Sequence, residues 1–145
     1  MTQPIIAPIT DSQIADVVAL WQRCDLTRPW NDPASDIAFA CRDAHASVLV
    51  ARMNERVVAS VMVGDDGHRG WVYYLAVDPE HRRAGLGRVM MATAEQWLRE
   101  RGVVKLQLMV RAENPVVQAF YERLGYAPQA RVVYARWLDG RDPTP

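Results

Sequence analysis

The hydrophobic period of this chain changes inside one stretch, Tyr74 to Arg88. The run Trp71 to Val77 is apolar on both faces and Pro79 ends it, which reads as a central strand. From Leu86 onward the period is helical: Leu86, Val89, Met90, Ala94, Trp97 and Leu98 share one face. Between the two lies the basic turn Arg82-Arg83-Ala84-Gly85-Leu86-Gly87. A strand that enters a helix through such a turn gathers unpaired backbone N–H groups and the positive end of the helix dipole around one point. Arg82, Arg83 and Arg88 add guanidinium charge there, and Gly85 and Gly87 carry no Cβ to keep a ligand off the backbone. The chemistry that fits is a phosphate-bearing ligand. The turn does not fit the two standard nucleotide fingerprints, which disfavours those mechanisms. A Walker loop needs Gly-Lys-Ser/Thr, and a Rossmann turn needs a third glycine where Met90 stands.

The rest of the chain frames that turn. Ile5 to Ile9 is a short apolar run that starts a sheet. Thr10 and Gln13 have capping-box spacing before a helix to about Cys24. Asp32 caps a second helix with Pro33 at its first position, running to about Arg42 or Asp43. Ser47–Arg52 and Val57–Val63 form a hairpin, and Trp71–Val77 completes a meander. After the helix from Leu86 come a strand at 103–110, a helix opened by Asn114-Pro115 and closed by Gly125, and a last strand at 131–138. The expectation is one α/β (α+β) domain over residues 1–145. Its sheet is mixed, with a parallel pair where the crossover helix returns.

Composition restricts the partners. Seventeen Lys and Arg balance seventeen Asp and Glu, which gives no global field for nucleic acid or an anionic membrane. Any anion site is local. Cys24 and Cys41 read as reduced, buried small hydrophobes on helices. His45, His68 and His81 are scattered and lack partners at ligand spacing, so no metal is expected. With no signal sequence or apolar span to read, the expected location is the cytoplasm.

The turn and its preceding strand, Leu75-Ala76-Val77-Asp78-Pro79-Glu80, together resemble the acetyl-CoA motif of the GNAT acetyltransferase superfamily. Asn114, Tyr121 and then Gly125-Tyr126 resemble that superfamily's second motif. The segments Arg28–Pro33 and Asp65–Gly70 further resemble the bacterial YpeA-type group. The resemblance implies a mostly antiparallel central sheet flanked by about four helices and splayed between strands 71–77 and 103–110. It implies acetyl-CoA as co-substrate. The backbone of Leu75, Ala76 and Val77 would pair with the pantetheine arm. The amides from Arg83 through Ala84, Gly85, Leu86, Gly87 and Arg88 would hold the pyrophosphate, with Arg82 and Arg83 beside it. Asn114 would face the cofactor, and Tyr121 would protonate the departing thiolate. Val117 stands where that motif often has a small residue.

Residue chemistry supports part of this. A phenol of pKa near ~10 and a thiol near ~8.5 are roughly matched for proton transfer. Read without the motif, Tyr121 is a packing residue beside Val117 and Leu124. Freeing an amine of pKa ~10.4 at pH 7 costs about 4–5 kcal/mol, so a base is expected. Asp66, Tyr73 and Glu113 stand near the right strand ends, and a water relay to a carboxylate is an equal alternative. Trp30, framed by Pro29 and Pro33, either walls an acceptor pocket or anchors its loop. Asp25, Asp32, Asp36, Asp65 and Asp66 fall in the loops that would meet the acceptor, which points to a cationic amine. The acceptor itself is not specified. A non-catalytic acyl-CoA-binding module and a longer acyl chain stand as rivals, and an edge strand at 131–138 would allow a homodimer.

Overall fold

A computed structural model describes residues 3–142. They fall into two compact units divided between Met109 and Val110, and each is described by itself.

The first unit is a five-stranded sheet in the order β1-β2-β3-β4-β5. The strands are β1 (Ile5–Pro8), β2 (Ala46–Met53), β3 (Arg56–Asp65), β4 (Gly70–Val77) and β5 (Leu106–Gln107). The first four pair antiparallel and β4–β5 is parallel. Three helices cover it: α1 (Ile14–Arg23), α2 (Pro33–Ala40) and α3 (Leu86–Arg99). The mixed, mostly antiparallel sheet expected from the sequence is present.

Local signals set the helix starts. The side chain of Gln13 accepts from the Thr10 N–H at 3.0 Å, although the capping box first closes a 3₁₀ turn before α1. Asp32 accepts from the Ser35 N–H at 3.3 Å and Pro33 follows at the first position of α2. On one face of the sheet Val17, Leu20 and Trp21 of α1 join Ile37 and Ala40 of α2, Val48, Val50, Val57 and Ala76 in one core. On the other face α3 buries Leu86, Met90, Met91, Ala94 and Leu98. Gly70 faces α3 so closely that an added Cβ would meet Leu98 at 2.5 Å. By alternation Val72 and its partner Val63 face α3 as well.

The register of β3 against β4 slips between Ser60 and Met62, and the extra residue falls at Tyr74. Tyr74 has φ 53°, the left-handed region that a tyrosine rarely adopts. Three contacts fix it. Its ring stacks on Trp21 with centroids 3.7 Å apart and planes 3° from parallel. Its hydroxyl donates to Asp36 at 2.7 Å. Its carbonyl accepts from Ser60 Oγ at 3.1 Å, and the buried Ser60 accepts in turn from Trp21 Nε1 at 2.8 Å.

Two strands depart from expectation. The strand read at 103–110 pairs only at Leu106 and Gln107, opposite Gly70 and Trp71. Bulges raise the twist and end pairing, so the strand bulged at Tyr74 turns away from β5. The strand read at 131–138 is not formed. Val132, Val133, Tyr134 and Leu138 are exposed, and β-branched residues without a partner strand do not extend a sheet. The residues beyond 142 in the polar tail lie outside the described residues. The second unit therefore contributes one helix, α4 (Pro115–Arg123).

Replacing Trp21 by Phe keeps a ring over Tyr74 and removes the donor to Ser60. The expected loss is about 1–3 kcal/mol, read as a lower urea midpoint with unchanged slope.

Candidate functional site

β4 runs straight into the basic turn, and Asp78 fixes the junction. Asp78 is 1% exposed. It accepts from the Glu80 N–H at 3.0 Å and so caps the 3₁₀ turn Pro79–His81. Its other oxygen takes Arg23 at 3.0 Å and Arg56 at 3.4 Å. Burial pushes its pKa up, but the Glu80 N–H and the two guanidinium groups outweigh it and hold the carboxyl below its ordinary value. Arg82 leaves the turn extended, Arg83 has φ 71°, and Gly85 caps α3 at φ 80°. That fold aims a run of amides outward. Among the described residues, none of the N–H groups from Arg83 to Arg88 donates to an internal acceptor, and no carboxylate pairs with Arg82, Arg83 or Arg88. Arg82, Arg83, Ala84, Gly85 and Arg88 are exposed. Orphan amides, a helix start and unpaired guanidinium groups fit a phosphate ester.

The adjacent strand has an open edge. β4 has β3 on one side, and its pairing with β5 stops at Trp71. The Asp78 N–H bonds the Val58 carbonyl, so by alternation the Val77 carbonyl points away from β3. One group already touches it. The Cys24 thiol donates to Val77 O at 3.3 Å, and Arg82 lies 3.8 Å from the same sulfur. Cys24, distant from the motif in sequence, is therefore adjacent to it in space. Cys41, expected to be buried, is exposed at the end of α2.

In the second unit Asn114 caps α4, accepting from the Val117 N–H at 3.2 Å, with Pro115 next. Tyr121 lies between Phe120 and Tyr126, with ring centroids at 5.0 and 5.8 Å. Burial pushes its hydroxyl up to about 12. Such a phenol stays protonated at any working pH. It is a weaker acid than a free phenol, and matches a thiolate only where that thiolate is equally shielded from water.

The candidate bases fare badly. Asp66 Oδ1 accepts from the His68 and Arg69 N–H groups at 2.9 and 2.7 Å, and Oδ2 accepts from Trp71 Nε1 at 3.0 Å. Those bonds, the Arg69 N–H foremost, lower its pKa, which weakens it as a proton acceptor. Tyr73 is shifted up by burial and then by the Asp66 charge. Glu113 lies 3.9 Å from Arg111 at the surface. Trp30 sits in the turn before Asp32 with Asn31 bonded back to Arg28. Among the described residues no group of three His, Cys, Asp or Glu is arranged to hold a metal ion. No helix among them is long and apolar enough to cross a membrane.

Comparison with known proteins decides the family. Residues 15–126 match the model of the Acetyltransferase (GNAT) family. This chain belongs to the GNAT acetyltransferase family. A GNAT relative, an acetyltransferase of Yersinia pestis, is 42% identical over 123 residues, covering 85% of this chain and 87% of the relative. The ribosomal-protein-S18-alanine N-acetyltransferase of Escherichia coli superposes with a TM-score of 0.75 at 25% identity, covering 96% of this chain and 88% of that one. The GNAT fold is likewise shared with AAC(6')-Iy, solved with a CoA-linked bisubstrate analogue: TM-score 0.79, 16% identity, coverage 94% and 99%. The chain is thus an acetyltransferase.

Asp78→Asn removes the charge that holds the basic turn to α1 and β3. At pH 7 the variant is expected to lose about 1.5–3 kcal/mol. The sign with pH follows from the lowered pKa: the ionised Asp78 stabilises the fold above about pH 4 and stops doing so as pH falls through its folded value. Wild type should lose stability more steeply than the variant below pH 4 in denaturant titrations.

Proposed function

We propose that this chain, as a single domain, transfers the acetyl group of acetyl-CoA to an amine by direct attack in a ternary complex. The observation that carries the reading is the run of amides from Arg83 to Arg88 without internal acceptors, at the end of a strand whose outer edge is open. Arg82 and the amides of Arg83, Ala84, Gly85, Leu86, Gly87 and Arg88 take the pyrophosphate. The edge of Leu75, Ala76 and Val77 that has no sheet partner pairs with the pantetheine arm as an added strand would. Asn114 starts the helix that carries the proton donor Tyr121.

The acetyl thioester supplies an activated acyl group. The amine nitrogen attacks its carbonyl carbon, a C–N bond forms and the C–S bond breaks. The nitrogen loses a proton to water, and the Tyr121 hydroxyl gives one to the departing sulfur and recovers it from solvent. No nucleophilic side chain intervenes. Cys24 is engaged with a backbone carbonyl, and no His or carboxylate lies within hydrogen-bond reach of its sulfur among the described residues. Asp66 and Tyr73 are set aside as bases by the directions of their shifts, so proton removal falls to water.

Titration calorimetry with CoA tests the binding half: saturable binding at micromolar ligand is expected, and no heat at high micromolar CoA would overturn it. Tyr121→Phe should lower kcat by about 10²–10⁴ while changing CoA affinity less than twofold. Because the Tyr121 hydroxyl is pushed to about 12, the rate should rise with pH as the amine deprotonates and show no falling limb up to pH ~10. A descending limb centred below that pH would remove the phenol from the mechanism.

A further inference from the structure

The bulge leaves Trp71, Tyr73, Tyr74 and Ala76 on the same face of β4, the face that α1 and α2 cover. The cover is incomplete. Tyr74 lies under Trp21 and Asp36, while Tyr73 is 45% exposed and its hydroxyl has no partner among the described residues. Trp71, two residues away on the same face, turns its indole N–H to Asp66.

The acidic side chains of the surrounding loops are engaged elsewhere. Asp25 lies 3.7 Å from Arg28. Asp32 caps α2, and Asp36 takes the Tyr74 hydroxyl. Asp65 lies 3.7 Å from His45 and accepts from the Gly67 N–H. Asp66 differs. It accepts three N–H groups, all neutral, and no cation pairs with it among the described residues. Arg69, its near neighbour, turns its guanidinium to the His68 carbonyl instead. The result is an exposed, fixed anion flanked by two aromatic rings and lacking its counter-ion.

We propose that Asp66, Trp71 and Tyr73 seat the acceptor, and that the acceptor is an amine carrying a second, persistent ammonium group. This rests on the acetyl-transfer reading above. With pyrophosphate at the turn and pantetheine along Val77 to Leu75, the thioester lies toward Tyr73, at the end of β4 where this cluster stands. The distal ammonium pairs with Asp66 and lies against the ring faces, while the proximal amine attacks. The three side chains are positioning residues; none takes the proton.

The test compares 1,5-diaminopentane with pentylamine, which has the same chain length and one nitrogen. Wild type should favour the diamine about five- to tenfold or more in kcat/KM, and calorimetry in the presence of CoA should show the same order of binding. Asp66→Asn keeps the acceptor atom for the turn amides and removes the charge. It should bring the ratio near one through acceptor KM, with CoA affinity unchanged. Tyr73→Leu, which leaves the turn alone, should reduce the ratio as well. Equal use of the two amines by wild type, or an undiminished ratio in both variants, overturns the assignment while leaving acetyl transfer standing. Failure of wild type to bind CoA overturns both.

Discussion

Tyr74 holds a left-handed backbone because its side chain is gripped from two sides. A non-glycine residue in that region carries strain of about 1–3 kcal/mol and persists only where its surroundings over-determine it. Here Trp21 stacks flat on the ring and Asp36 accepts the hydroxyl. Burial and the Asp36 carboxylate both raise the pKa of that hydroxyl, so it remains a donor throughout the physiological range. The extra residue has two consequences for β4. It turns the strand off β5 after Trp71, leaving an edge without a sheet partner, and it presents Tyr73 and Tyr74 on one face. An unbulged strand would keep its edge closed and put consecutive tyrosines on opposite faces. The two helices that precede the meander therefore shape the strand they pack on as much as they cover it.

Charge is distributed along that same strand. The chain as a whole is neutral, with seventeen residues of each sign. Asp66, held ionised by backbone amides, stands before the first residue of β4, and the three unpaired arginines follow its last. On the proposed reading, a polyanionic co-substrate and a cationic acceptor approach β4 from opposite ends. Asp78 separates the two regimes. Together with Glu80, which also pairs with Arg56, it neutralises Arg23 and Arg56 and leaves Arg82, Arg83 and Arg88 as the cations that face solvent at the turn.

The meander, the helix starts and the basic turn were legible because each rests on local chemistry: β-branched runs, Asp32-Pro33, Asn114-Pro115, and a glycine at the αL cap of α3. The GNAT resemblance implies a division of labour between turn and α4, which the proposed function adopts. What was not legible depends on partners distant in sequence. Nothing in Tyr73-Tyr74 announces a bulge, since the register slip follows from Trp21 and Asp36. The strands read at 103–110 and 131–138 have the right composition, but strand formation follows pairing, and β5 loses its partner where β4 bends away. Cys24 lies far from the motif in sequence, and only the end of α1 brings its sulfur to Val77. Asp66 was grouped with four other aspartates; only the hydrogen-bond pattern distinguishes it.

The Cys24 contact has a further consequence for the open edge. A thiol is a weak donor, yet it keeps the Val77 carbonyl from standing bare beside apolar neighbours. A ligand amide laid along β4 would exchange that S–H for an N–H and free the sulfur to rotate. The empty edge is thus held by a place-holder that yields to a stronger donor, so binding there replaces a contact instead of dehydrating an orphan carbonyl.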